Sequence, residues 1–232
     1  MLFSFTTSPR LTFPIEGLTL EWYEKAFSDP LISTALKNSG LLASVSAVVA
    51  GTLGTAFAFG LVKLKSAFSR RALLGAGLLP AVVPLLVIGI ALAVFFRGAG
   101  FRPGLFNAAI GHVVVSLPFV LLTMNARLEN FDFRVLEAAR DLGASPFRAF
   151  LDISLPLIRP SMIGAALLAA ALSLDEFVVT WFNIGNDQTV PVLVWGLMRR
   201  GIDPSINAIA AVLFTMLVCL VAASNVIEQK RK

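Results

Sequence analysis

The stretches 38–62, 72–96, 103–126 and 205–227 contain no Asp, Glu, Lys or Arg, and this restricts the chain more than any other feature. An α-helix rises about 1.5 Å per residue, so roughly 20 apolar residues cross a hydrocarbon layer about 30 Å thick. Each of the four is longer than that. A fifth stretch, 161–185, is equally apolar except for Asp175 and Glu176 near its middle. Inside lipid every backbone polar group must be satisfied within the segment, so such runs form helices. The expected fold is an all-α polytopic membrane protein with five transmembrane helices in this chain. Composition agrees, with 57% hydrophobic and only 14% charged residues, against about 25% charged in soluble domains.

Charge distribution orients the helices. Lys63, Lys65, Arg70 and Arg71 fall within the nine residues 63–71, which hold no acid. By the positive-inside rule that loop is cytoplasmic. Alternation then puts 97–102 outside, 127–160 inside, 186–204 outside and the basic tail 228–232 inside, with the C-terminus cytoplasmic. Twelve of the 19 Lys and Arg residues lie inside on this assignment and seven outside. The same rule accounts for a pI near 9.9 without invoking nucleic acid, because the basic residues follow the loops and form no aromatic-interleaved patch.

The chain thus divides into an external segment 1–33, a transmembrane domain 34–227 with its large loop 127–160, and the tail. In the external segment Thr19 is the expected N-cap of a short interfacial helix with Glu21 in its first turn, and Trp22, Tyr23 and Phe27 are expected at headgroup level. An external start without a signal peptide is unusual and implies an upstream helix that this sequence lacks. Pro80 and Pro84 bend the second span, as a static kink or a moving one. Cys219, the single cysteine, lies inside the last run and reads as a small packing residue, so no disulfide or cysteine metal site is available.

The loop 127–160 is strongly punctuated. Asp132 is a good N-cap, and helix formers follow to Leu142, with Phe133, Leu136, Ala139 and Leu142 on one side. Gly143 suits the left-handed position that ends a helix. Ser145 and Pro146 are the N-cap and first residue of a second short helix, expected to stop near Leu155 and Pro156. With five basic and five acidic residues the loop is neutral, a poor anchor for anionic lipid. A rigid neutral projection suits a groove on a protein partner; an amphipathic helix lying on the membrane is the alternative.

Ionised carboxylates within a span cost roughly 2.5–3.5 kcal/mol. On one helix Asp175 and Glu176 would be about 100° apart, so they cannot face the same line. They serve either as an anionic lining for a cationic solute, with Trp181 beside the path, or as a hydrogen-bonded helix contact or gate lock. His112, with Asn107 about one turn earlier, is either a proton relay or a packed, hydrogen-bonded neutral imidazole. Trp181, Phe182 and Trp195 read as belt or gate residues, and Arg199 and Arg200 as external charges facing a possible protein partner.

Glu137, Ala138 and Ala139, then Gly143, then Ile153, Leu155 and Pro156 resemble the EAA signature of the inner-membrane permeases of binding-protein-dependent ABC importers at every defining position. The signature sits before the penultimate span, as in that family. Trp22 and Tyr23, Leu117 to Phe119, Ser173 to Glu176 and Ile202 to Ala208 extend the likeness over essentially the whole chain, toward the second permease type of the spermidine/putrescine subfamily. Two features depart from it: the family carries a further N-terminal span, and Glu176 stands where the polyamine permeases have a second Asp.

The resemblance implies a type I ABC importer permease fold in a bacterial inner membrane and import of a small solute, a polyamine such as spermidine or putrescine before an opine, an amino acid derivative or a metal ion. It implies as partners an ABC ATPase homodimer seated on the EAA loop, a second permease subunit and a periplasmic or extracellular solute-binding protein. The sequence contains no Gly-Lys pair and hence no P-loop, so ATP hydrolysis falls to a partner and no cofactor, metal or catalytic residue is assigned here. The competing classes are a stand-alone channel or secondary carrier, and an intramembrane hydrolase using Asp175 with His112. The signature argues against the first, and no catalytic spacing supports the second.

Overall fold

The computed structural model describes residues 2–7, 17–200 and 204–229. Ile202 and Asp203 of the motif above, and the basic residues 230–232 of the tail, lie outside the described residues. The elements are almost all helical, and one isolated bridge, Thr6 to Leu18, ties down the N-terminal segment.

Helix α1 (Glu21–Ser28) starts where Thr19 Oγ1 accepts the amide of Glu21 at 3.1 Å. Two of its aromatic residues make specific bonds. Trp22 Nε1 donates to the Thr6 carbonyl at 2.6 Å, and the Tyr23 hydroxyl bonds Ser4 Oγ at 2.8 Å, so both tie α1 to the N-terminal segment while Phe27 stays exposed. Helix α2 (Pro30–Val62) begins with Pro at its first position, capped by Asp29, whose carboxylate accepts from Leu31 N at 2.8 Å. Its 33 residues make a rod about 50 Å long, which overshoots a lipid hydrocarbon layer.

The second expected span is two helices, α3 (Ala67–Val82) and α4 (Leu85–Gly98), which meet at 96°. Pro80 is held within α3, its missing donor tolerated. Pro84 acts on its predecessor: Val83 is pushed to extended angles, φ −75° and ψ 132°, and the helix cannot continue. Helix α5 (Leu105–Glu129) follows, then α6 (Arg134–Asp141) in the loop.

The next segment departs from the sequence expectation. Helix α7 (Pro146–Ala149), a π-turn (Phe150–Ser154) and α8 (Leu155–Asp175) form one unbroken helical run, so the helix does not stop at Pro156. In a regular α-helix Pro156 would remove a hydrogen bond and its ring would clash with the carbonyl four residues back. The π-turn widens the backbone just ahead of it, with Leu155 N bonding Phe150 O, and the ring is accommodated. The fifth expected span is also interrupted: α8 ends at Asp175 and the short α9 (Val178–Asn183) follows, before α10 (Val190–Arg200) and α11 (Pro204–Gln229).

Three described helical runs, Pro30–Val62, Leu105–Glu129 and Pro146–Asp175, are long and apolar enough to cross a membrane, or up to four if the bent α3–α4 pair is one span. Five were expected; α11 coincides with the last of them, and its described apolar part is Ser205–Cys219. Cys219 is exposed on that helix rather than packed.

The core is the junction of α2, α5 and α8. Ala50, Ala58 and Leu61 pack with Val120, Leu121, Met124 and Leu128 and with Ile158, Ala165 and Ala169. Small residues let the backbones close in, as membrane helices require in the absence of a hydrophobic drive between them. Gly54 marks a tight crossing of α2 and α5 in this core, where a β-carbon would sit 2.6 Å from Val120 Cγ1.

Candidate functional site

Two regions carry the residues singled out above. The first is the elbow between α6 and α7. Asp132 does not cap in the simplest way. Its Oδ1 accepts from the Arg134 amide at 3.1 Å and from the Arg134 guanidinium at 2.9 Å, and that bonded guanidinium holds the carboxyl below its usual range. Helix α6 then ends in a complete Schellman motif. Ala144 N donates to Ala139 O at 3.0 Å and Gly143 N to Arg140 O at 2.9 Å, with Gly143 at φ +89°. Ser145 Oγ accepts from Arg148 N at 3.3 Å and starts α7 at Pro146.

The expected apolar stripe divides. Phe133 and Leu136 pack onto the α2–α5–α8 core beside Phe131, whose ring meets Phe133 edge-on at 5.0 Å. Phe150 in the π-turn meets Phe59 of α2 the same way at 5.4 Å. Leu142 is not part of that packed face. As the C-cap it swings out and is 91% exposed, with Phe147 70% exposed and Val135 43% exposed. Thus one set of side chains fastens the elbow to the membrane helices and another is left bare. Among the signature residues, Glu137, Ala138, Gly143 and Pro156 are exposed, while Ala139, Ile153 and Leu155 are half-buried. Sequence periodicity put Leu142 with the packed set; only the turn geometry reveals otherwise.

The second region is the break after α8. Asp175 and Glu176 do not share a helix. Asp175 is its last residue and is exposed, whereas Glu176 is extended (φ −70°, ψ 110°) and 7% exposed. The Glu176 carboxylate turns back to accept from Val179 N at 2.7 Å, which caps α9. Phe177 lies against Trp181 at 5.7 Å between ring centroids and against Trp195 of α10 at 5.5 Å. Trp181 and Trp195 are both well exposed, so the exposed carboxylate is followed closely in the chain by an exposed aromatic group.

The inner side of the break is fixed by the hydrogen bonds of a packed His112, whose partners the sequence does not identify. His112 of α5 is 1% exposed and bonds Ser173 Oγ through Nδ1 at 2.6 Å and Thr180 Oγ1 through Nε2 at 2.7 Å. Thr180 spends its proton on the Glu176 carbonyl at 2.9 Å, so its oxygen accepts from Nε2–H and the Ser173 hydroxyl donates to Nδ1. The imidazole is therefore hydrogen-bonded at both nitrogens, and Asn107 takes no part, donating instead to the Arg102 carbonyl at 3.2 Å. Asn183 ties the far end of α9 to α4 through Gly89 O at 3.0 Å.

A cavity of about 390 Å³ reaches α9 at Phe182 and Asn183, with Arg97, Phe101 and Asn107 in its wall. Arg97 gives it the wrong sign for a cation. At the end of the molecule bearing the elbow, Arg70 and Glu129 form an ion pair between α3 and α5, to which Asn125 Nδ2 adds a bond at 3.0 Å.

Solved structures share the fold. A chain of the MetNI methionine ABC transporter in an inward-facing conformation matches with TM-score 0.67 at 15% identity, over 86% of this chain and 95% of that one. A bacterial ABC transporter involved in importing the acidic polysaccharide alginate matches with TM-score 0.70 at 14% identity, over 100% of this chain and 88% of that one. Similarity in sequence is greater to the spermidine/putrescine transport system permease protein PotC of Haemophilus influenzae, 31% identical over 93% of this chain and 84% of that protein. The corresponding protein of Escherichia coli K12 is 31% identical over 98% and 86%. The putrescine transport system permease protein PotI of the same strain is 31% identical over 92% and 78%. The family of inner-membrane components of binding-protein-dependent transport systems matches residues 40–232. With the type I importer fold already evident, the chain belongs to that family and is the permease of an ABC importer.

Proposed function

We propose that this permease passes a polyamine-like cation and is driven by an ATPase dimer docked at the α6–α7 elbow. Pairing with a second, similar permease would complete the path, a soluble binding protein would deliver the solute from outside, and the elbow and C-terminus would lie in the cytoplasm. The charge asymmetry of the loops supports that orientation.

Support for the cargo comes from one observation, the exposed Asp175 at a broken span two residues before Phe177, on which the exposed rings of Trp181 and Trp195 lie. An ammonium group is attracted both by a carboxylate and by aromatic faces, and the attraction to the faces strengthens as water is removed. Glu176 supplies no second charge to the surface, because its carboxylate caps α9. Asp175→Asn in the assembled transporter is expected to lower spermidine uptake at least about tenfold, on the scale of losing one charged partner. Wild-type uptake by that variant would overturn the cation reading, whereas equal loss on Glu176→Gln would be attributed to the cap.

The coupling reading is supported by the bare apolar side chains Val135, Leu142 and Phe147 on an elbow whose other face is fastened by Phe133 and Leu136. Closure of the ATPase dimer would move both elbows together and carry that displacement into α8. Leu142→Asp changes a side chain that touches little in this chain. It is expected to leave the melting temperature of the permease within about 2 °C, as for most surface changes, while ATPase recovered by affinity pull-down falls about tenfold. Undiminished recovery would remove Leu142 from the docking surface.

A further inference from the structure

No helix-breaking residue accounts for the break at Asp175. Neither Gly nor Pro lies between Ala171 and Asn183, and β-branched or acidic residues lower helix propensity only slightly. Beside the cap that Glu176 places on Val179, the two sides of the interruption are joined by one side chain of another helix. His112 bonds Ser173 on the near side of the break and Thr180 on the far side, both at short distance and fully buried. Thr180 in turn closes onto the Glu176 carbonyl, and Glu176 onto the Val179 amide. The Glu176 amide donates to the Ser173 carbonyl at 3.4 Å, so that Ser173, His112, Thr180 and Glu176 form a closed ring of contacts around the corner. The neighbouring Gly111 lets α5 approach so near that a β-carbon there would lie 2.5 Å from Val179 Cγ1, which brings the imidazole within reach of both hydroxyls.

We propose that His112 is a positioning residue of the translocation path: by bridging Ser173 and Thr180 it fixes the α8–α9 corner and so sets the direction in which Asp175 faces the passing solute. This rests on the cation reading for the contact of Asp175 with cargo, but not for the clamp itself. His112 touches no solute. It acts through the backbone between Ser173 and Thr180, whose conformation would otherwise compete with a continuous helix satisfying the same amides. Loss of the bridge takes from Ser173 and Thr180 the bonds that join the two sides of the break, a defect confined to the corner.

The test uses the whole transporter, with its ATPase and binding protein, in lipid nanodiscs and proteoliposomes, and compares His112→Leu, His112→Gln and Thr180→Val with wild type. Hydrogen exchange reads the clamp directly. In His112→Leu and Thr180→Val, each of which loses two buried bonds, the amides of 176–183 are expected to exchange at least about tenfold faster, with the rest of the chain unchanged. Spermidine transported per ATP hydrolysed is expected to fall about tenfold in the same variants, with His112→Gln, which keeps a donor and an acceptor, recovering part of both. A merely structural role would instead lower assembly, ATPase and uptake together. Unchanged exchange at 176–183, or a rise spread over all helices, overturns the clamp. Faster exchange with normal transport per ATP overturns the positioning role. Normal uptake by Asp175→Asn overturns the cation reading alone, since the exchange and stoichiometry results still decide the role of His112.

Discussion

Replacing Gly143 by valine is expected to release the ATPase from the permease while leaving the permease folded. Gly143 sits at φ +89°, and a β-carbon built there meets nothing within 4 Å, so the penalty is one of backbone conformation and not of space. An L-residue in the left-handed region costs roughly 1–2 kcal/mol, and β-branching adds crowding at χ1. The cheapest escape is to abandon the turn, which breaks both bonds of the Schellman motif, Ala144 N to Ala139 O and Gly143 N to Arg140 O, and swings α6 relative to α7. Nothing in the α2–α5–α8 core need move. The expected result is at least about a tenfold loss of co-purified ATPase and of uptake, from the equivalence of 1.4 kcal/mol with a factor of ten, with little change in melting temperature. Gly143→Asn, which tolerates the left-handed region, should retain most of the association. Wild-type pull-down by the valine variant would mean that the elbow angle is not what the ATPase reads.

The second large effect is expected in the membrane core. At Gly54 the new methyl of an alanine would lie 2.6 Å from Val120 Cγ1 and 3.3 Å from the Leu121 backbone nitrogen. Valine has little rotamer freedom in a helix, and backbone does not yield, so α2 and α5 must separate. Overpacking of this kind costs typically about 1–3 kcal/mol. Gly60 lies on the same helix with nothing within 4 Å, and there alanine gains up to about 1 kcal/mol of helix propensity. The two Gly→Ala changes, identical in chemistry, should therefore move the melting temperature of the solubilised permease in opposite directions. A destabilised Gly60→Ala with an unaffected Gly54→Ala would show that the α2–α5 crossing is looser than described.

These cases mark what could be read from sequence. The Gly143, Ser145 and Pro146 elbow was legible because its determinants are local: a left-handed turn, a hydroxyl cap and a fixed φ each act within four residues. The apolar runs gave the helical class for the same reason. Pro156 misleads because a proline is a stop only if the preceding turn is α, and here the turn at Phe150–Ser154 is widened, with Phe150 packed on Phe59, which lies far away in sequence. Asp175 and Glu176 were recognised as costly residues, but their placement on separate sides of a broken helix depends on His112, Ser173 and Thr180, which are brought together from different helices. Likewise, Pro84 announced a bend, but not one of 96°.

The uninterrupted run from Pro146 to Asp175 has a consequence of its own. Thirty residues of helix make a shaft about 45 Å long, with the elbow at one end and the exposed carboxylate at the other. Whatever grips the first end and whatever passes the second never need to meet, and no relay of side chains has to carry news between them. With the elbow and Asp175 in the roles proposed above, the handle and the tip of such a shaft can be refitted separately, so that the same drive can serve a different cargo once the few residues around Asp175 are exchanged.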